Sequence, residues 1–364
     1  MRSKEACPIT AIKVPKGVNL IFHSIRAGGG MERYVRDLIN GISALDIQLR
    51  VVCMQLDWPD KPPLGVEFVV KPGRTPLSRL NTLWFERSAL RYCQPGWPVL
   101  SISRVPGCDI ALAGGTHLGH LRQRGKRFLG LFNRLTVVHE SRMYKLARLI
   151  VAHSSRVAEE IESIYGVPNA KIRTLYPPVD TNHFSLLAQN QREEVRLSLG
   201  IPRDAFLLLF PSNNHELKGA DLILEALSDW NSGIRLAVVG KAPLIAPDVI
   251  NLGYQKNMPR LYAAADAVIL ASRYEAFGLV GPESILCGTP VLFANQVGAG
   301  EVLSERACFR FERTLPSLRA ALGEALKRHK SGTLQLNDPA AHIHYPFSVE
   351  QHLVSIFEAL SEIQ

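Results

Sequence analysis

The stretch DAVILASRYEAFGLVGPESILCGTPVLF, Asp266 to Phe293, runs from one apolar segment through a glycine-containing loop and a short helical segment to a second apolar segment. Ala267 to Leu270 and Val291 to Phe293 read as strands, and Pro282 to Cys287 reads as a helix with proline in its first turn. Strand, Gly loop, helix, strand is the outline of a βαβ unit, whose parallel strands require a crossover. The same order extends upstream through a strand at Phe206 to Phe210, a helix at Ala220 to Leu227, a strand at Leu236 to Val239 and a helical turn at Leu261 to Ala265. It recurs in the first half. Val18 to Phe22 is followed by Gly28-Gly29-Gly30 and by a helix over Met31 to Ile42, in which Tyr34, Val35, Leu38, Ile39 and Ile42 share one face. Strands follow at Leu49 to Met54, Ile110 to Ala113, Leu149 to Ala152 and Ile172 to Leu175, with a helix at Val157 to Tyr165.

Two alternating halves in 364 residues imply an α/β protein of two doubly wound, Rossmann-like domains facing each other across a cleft. The expected division is 1–180, 181–345 and a tail at 346–364. Pro177-Pro178 stiffens the crossing, and the hinge is expected near residues 176 to 200. Leu353, Ile356, Phe357 and Leu360 give the tail one apolar face, so it is expected to cross back and pack on the N-terminal domain. In open α/β sheets ligands bind outside the carboxyl ends of the strands, which places the expected site between the domains.

Charge is uneven. The chain carries a net +9, but residues 1–180 hold 26 Lys and Arg against 14 Asp and Glu, and residues 181–364 hold 16 against 19. A basic half points to an anionic partner. The six cysteines, Cys7, Cys53, Cys93, Cys108, Cys287 and Cys308, include no C-x-x-C pair and most lie in apolar runs, so buried reduced thiols are expected. No apolar run reaches the roughly 18 residues of a spanning helix, and Met1 to Lys16 lacks the core of a secretory signal, so a cytoplasmic location is expected.

Within the opening stretch, Glu275 falls in the loop at a strand's carboxyl end and Glu283 in the first turn of a helix. Free backbone N–H groups and the positive helix end suit a diphosphate there, and two carboxylates suit paired sugar hydroxyls. The loop with Gly29 and Gly30 lets backbone amides approach a phosphate, but Met31-Glu32-Arg33 leaves no third glycine of a dinucleotide fingerprint.

Together these features resemble retaining glycosyltransferases of family four, with the GT-B fold. The resemblance rests on EAFGLVGPE (Glu275 to Glu283), GGGMER (Gly28 to Arg33), PNAKIRTLYPPVD (Pro168 to Asp180) and LKGADLILEAL (Leu217 to Leu227). VPGCDIALAGG (Val105 to Gly115) and the basic segment after it are similar to the lipopolysaccharide core glucosyltransferase branch. The resemblance implies that Glu275 holds donor-sugar hydroxyls, that Glu283 holds the ribose, and that the amides of Phe277, Gly278 and Leu279 lie near the diphosphate and sugar. Lys218 matches the lysine that neutralises the leaving diphosphate. His117 matches a histidine near the anomeric carbon, with His120 and His139 as competitors. The family arginine five residues before the lysine is Asn213 here, so Asn213, Asn214 or His215 takes over its work or the donor is held differently. No D-x-D occurs, and the resemblance implies a metal-independent reaction without a cofactor, the nucleotide sugar, UDP-glucose, being a substrate.

Arg122, Arg124, Lys126, Arg127 and Arg134 flank Phe128, Leu129, Leu131 and Phe132, a composition suited to an anionic membrane surface. A lipid-linked saccharide acceptor, the lipopolysaccharide core, then places the enzyme peripherally on the inner face of the inner membrane. Two alternatives compete: the same fold with GDP-mannose or UDP-N-acetylglucosamine as donor for exopolysaccharide or glycolipid synthesis, and a non-enzymatic nucleic-acid-binding protein. The second lacks a recognised module and leaves Glu275 and Glu283 unexplained.

Overall fold

The computed structural model describes residues 14–26, 29–58, 61–123, 130–202, 204–228 and 233–363, with the side chains of Arg122 and Gln123 outside the description. The chain divides into two compact units, Met1–Pro178 with Pro346–Gln364 and Val179–Tyr345. No helix among the described residues is long and apolar enough to cross a membrane.

Unit 1 runs β1 (Gly17–Ile21), β2 (Ser24–Ile25), α1 (Gly30–Ala44), β3 (Gln48–Cys53), β4 (Gln55–Leu56), β5 (Val66–Val70), α2 (Ser78–Ser88), β6 (Val99–Ser101), β7 (Ile110–Ala113), α3 (His117–Gln123), α4 (Leu131–Leu146), β8 (Leu149–Ala152), α5 (Ser155–Tyr165) and β9 (Ile172–Thr174). Seven strands form one parallel sheet in the order β5-β3-β1-β6-β7-β8-β9. The order reverses direction between β1 and β6, which makes the carboxyl ends of those strands the switch point.

Unit 2 runs α6 (Arg192–Ser198), β10 (Phe206–Pro211), α7 (His215–Lys218), α8 (Ala220–Ser228), β11 (Ile234–Val239), β12 (Val249–Asn251), α9 (Met258–Ala264), β13 (Ala267–Leu270), α10 (Val280–Leu286), β14 (Val291–Ala294), β15 (Cys308–Phe311) and α11 (Leu315–Lys330). Its parallel sheet, β12-β11-β10-β13-β14-β15, is a second doubly wound order with its switch point between β10 and β13. Strands β13 and β14 are buried at every position, as sheets covered on both faces require. Residues 179–200, including α6, belong to this unit, so the chain enters it at Pro178–Val179 and leaves it at Tyr345–Pro346.

The last helix, α12 (Val349–Ile363), belongs to unit 1. Leu353, Ile356, Phe357 and Leu360 join one buried cluster with Val35, Leu38, Ile39 and Ile42 of α1. The Tyr34 hydroxyl and His352 Nε2 meet at 2.9 Å in that seam. Burial pushes the His352 imidazole down to about 3, so it sits there uncharged at neutral pH. Gly41 of α1 is what lets the helices approach: a Cβ there would stand 2.6 Å from Val349 Cγ1 and 2.8 Å from Leu353 Cδ1. In an exposed helix Gly→Ala gains about 1 kcal/mol. Here Gly41→Ala is expected to destabilise by about 1–2 kcal/mol through overpacking. A thermal melt measures this, and a raised Tm would contradict the packing.

Candidate active site

The carboxyl edge of the unit 2 sheet brings two sequence-predicted residues into contact. Lys218 ends α7, just beyond β10, and its Nζ donates to Glu275 Oε2 in the loop after β13. Both side chains are about four-fifths buried. Gly219 explains how the lysine reaches that place. Its φ of +78° is a left-handed conformation, and a Cβ would lie 2.1 Å from the Ala271 carbonyl oxygen, so only glycine lets the α7–α8 corner lie against the end of β13. The Arg273 amide donates to the Leu217 carbonyl at 2.9 Å and locks the two loops together.

The Glu275 loop is held on its other side. Its backbone forms a parallel bridge to Val297, with Gly298 N donating to Glu275 O at 3.1 Å. Phe277 is buried edge-on against Tyr345, with ring centroids 5.8 Å apart. Gly278, at φ +99°, turns the chain into α10. The amides of Gly278 and Leu279 donate to no acceptor among the described residues. Glu283 is 3% exposed and accepts the Tyr262 hydroxyl at 2.9 Å on Oε2. It therefore stands behind the loop, braced by an aromatic that sequence reasoning missed. Tyr262 lies in α9, where every described residue but Arg260 is buried, so it read as a core aromatic and not as a site residue.

The residues in place of the family arginine are occupied locally. Asn213 Oδ1 accepts the Lys241 amide at 3.1 Å, Asn214 Oδ1 caps α7 by accepting the Leu217 amide at 3.1 Å, and His215 sits between Ser212 Oγ at 2.8 Å and the Ala242 carbonyl at 3.0 Å.

At the carboxyl edge of the unit 1 sheet, His117 opens α3 after β7. Its amide donates to Glu140 Oε2 at 2.9 Å, and its Nε2 lies 3.3 Å from Asn133 Oδ1. Burial, reinforced by Arg104, holds the His117 imidazole below the usual histidine value, so it is neutral near pH 7. His139 is buried beside Glu86, with Nε2 3.2 Å from Oε2. Arg104 bridges Glu140, at 3.0 Å from Nε, and Glu86, whose Oε1 accepts the Arg104 amide at 3.1 Å. This polar cluster of Glu86, Arg104, His139 and Glu140 was not legible as a group because both glutamates lie on helices whose faces are not cleanly divided into apolar and polar. Gly29 caps α1 in an extended conformation, and Gly30 is its first residue. A Cβ on Gly29 would lie 3.2 Å from Glu32 Oε2, so a carboxylate already stands over this turn. Gly28, Arg124, Lys126, Arg127, Phe128 and Leu129 lie outside the described residues, as does the Arg122 side chain.

Two parallel doubly wound units, with a lysine and a glutamate paired at the switch point of the second, are the two halves of a GT-B glycosyltransferase. Residues 28–183 match the model of Glycosyltransferase Family 4, and residues 191–314 match that of Glycosyl transferases group 1. A probable transglycosylase of Burkholderia thailandensis is 34% identical over 357 residues, spanning 95% of this chain and 97% of that protein. The D-inositol 3-phosphate glycosyltransferase 1 of Catenulispora acidiphila is 31% identical over 43% of each chain. Two solved structures share the fold. The structure of WaaG, a glycosyltransferase involved in lipopolysaccharide biosynthesis, superposes with a TM-score of 0.72 at 18% identity, over 95% of this chain and 98% of that one. Anabaena HepE in complex with UDP and glucose gives 0.70 at 19% identity, over 94% and 99%. The chain belongs to glycosyltransferase family 4.

Proposed function

We propose that this glycosyltransferase moves glucose from UDP-glucose onto a lipopolysaccharide core acceptor, without a metal and with retention of configuration. One observation carries the donor reading: Lys218 and Glu275 meet at the switch point of unit 2, beside the unused amides of Gly278 and Leu279. A diphosphate placed against those amides takes over Lys218, whose point charge offsets the charge that develops as the nucleotide leaves. Glu275, released from that pair, accepts sugar hydroxyls, and the ribose is assigned by the family resemblance to Glu283, which Tyr262 holds behind the loop. Unit 1 presents His117 as a neutral imidazole, able to donate from one ring nitrogen and accept at the other. The structure of HepE with UDP and glucose supports a uridine donor by likeness of fold. A thermal-shift panel of UDP-, GDP- and ADP-sugars tests the reading: UDP-glucose is expected to raise Tm, and stabilisation by a guanosine or adenosine donor alone would overturn the uridine assignment.

The acceptor reading places unit 1 on the inner face of the inner membrane. Arg122, Arg124, Lys126 and Arg127 supply charge. The α4 helix that follows exposes Leu131 at 72% and Val138 at 67%, together with Phe132, Leu135 and Leu146, and carries Arg134, Arg142 and Lys145. Apolar side chains among cations suit an anionic bilayer interface, where each nearby cation contributes about 1 kcal/mol before screening. Replacing Arg122, Arg124, Lys126 and Arg127 by Gln is expected to release the protein from phosphatidylglycerol-containing liposomes in a sedimentation assay. Unchanged sedimentation would sink the membrane assignment.

A further inference from the structure

His117 touches one helix twice. Glu140, two turns further along α4 than Asn133, is 1% exposed, and its carboxylate takes three donors: the His117 amide at 2.9 Å, Arg104 Nε at 3.0 Å and the Tyr165 hydroxyl. Desolvating a carboxylate is costly and is offset only when its acceptor sites are filled. Here the filling groups come from the loop after β6, the start of α3 and the end of α5, so the carboxylate ties three chain segments at the point where His117 leaves the sheet. At the start of α4, Asn133 Oδ1 faces His117 Nε2 at 3.3 Å. An acceptor there selects the tautomer with hydrogen on Nε2 and leaves the Nδ1 lone pair for another partner.

We propose that Glu140 and Asn133 are positioning residues for His117, Glu140 fixing the backbone from which the imidazole projects and Asn133 fixing the orientation and tautomer of the ring. The inference rests on the reading of His117 as the residue beside the donor sugar. The charged groups around the ring are Arg104 from the loop after β6, Glu140 from α4 and Arg79 from α2, and the Asn133 bond and the Glu140 charge both favour the protonated ring against burial and the two arginines. The sign of each substitution follows.

The test is histidine-selective 15N NMR of the full chain, with kinetics of donor hydrolysis alongside. Wild-type His117 is expected to titrate below the ordinary histidine range as the Nε2–H tautomer. Asn133→Ala is expected to lower that titration further and to mix the tautomers, while Asn133→Asp, which keeps the acceptor and adds charge, raises it and restores the Nε2–H form. Glu140→Gln removes the charge and also lowers the titration. UDP-glucose hydrolysis is expected to fall roughly tenfold in kcat for Asn133→Ala, with the KM for donor little changed, and to recover in Asn133→Asp. Asn133 lies on a partly exposed first turn, so its variants keep the test alive if Glu140→Gln fails to fold. His117 resonances that ignore both Asn133→Ala and Glu140→Gln would overturn the proposal. Wild-type hydrolysis by His117→Ala, with the NMR shifts present, would instead remove His117 from the reaction and leave its positioning intact.

Discussion

Lys218→Ala is expected to reduce kcat for sugar transfer by roughly 10²–10³-fold, the loss typical of removing one preorganised group from developing negative charge. The nitrogen is held by Glu275 and by a chain geometry that only Gly219 permits, so it occupies a fixed place before any donor arrives. Its attraction grows as the diphosphate separates from the sugar, which puts the loss in kcat rather than in donor KM. The fold is expected to survive, because Lys218 keeps about a fifth of its side chain in solvent and lies outside the buried core. Steady-state release of nucleoside diphosphate, with circular dichroism as the control for folding, measures the effect. Wild-type turnover in Lys218→Ala would refute the assignment of this lysine.

Asp266→Asn is expected to act on stability instead, by about 3–5 kcal/mol, because it strips the partner from buried guanidinium groups. Asp266 is 1% exposed at the amino end of β13. Its oxygens take Arg192 Nη2 at 2.5 Å, Arg196 Nη1 at 3.0 Å and the Leu207 amide at 2.7 Å, while Arg192 and Arg196 also donate to the carbonyls of Ala263, Ala264 and Ala265. Burial by itself would raise the carboxyl, but His329, Arg192, the Leu207 amide and Arg196 together hold it down to about 2. The sign for pH follows. A group whose folded value is depressed contributes stability that is full above its unfolded value, 3.8 here, and is lost as pH falls toward the folded value of about 2. The Asn variant lacks that acid-dependent contribution. For a unit of this size the loss corresponds to about 10 °C in Tm. A melt within a degree or two of wild type would contradict it. Glu275 lies beyond the opposite end of β13, so the folded variant is expected to keep its turnover.

Much of this architecture is written in apolar periodicity. Ile110–Ala113, Leu149–Ala152 and Ala267–Leu270 are uninterrupted apolar runs because both faces of a parallel sheet are covered, and their boundaries follow from the residues alone. Edge strands carry a weaker signal. Val66–Val70 has exposed and half-buried positions and no continuous run, so it stays hidden in the sequence. The α4 helix is obscured for a different reason: it buries Met143 and Tyr144 while exposing Leu131 and Val138, and its apolar residues fall on two faces instead of one stripe. The site divides in the same way. Glu275, Lys218 and their glycines are local in sequence and were legible as motifs. Their partners were not, since Tyr262 reaches Glu283 from another helix, and Glu140 and Asn133 reach His117 from across a loop. Such contacts depend on the packing of elements distant along the chain.

The most direct test of the account is to incubate the full chain with UDP-, GDP- and ADP-sugars and follow each by NMR. One donor, UDP-glucose, is expected to lose its sugar with release of the nucleoside diphosphate, and the loss is expected to vanish in Glu275→Ala. Consumption that persists unchanged in Glu275→Ala, or no consumption of any nucleotide sugar by the wild type, would contradict the placement of the donor at Lys218 and Glu275.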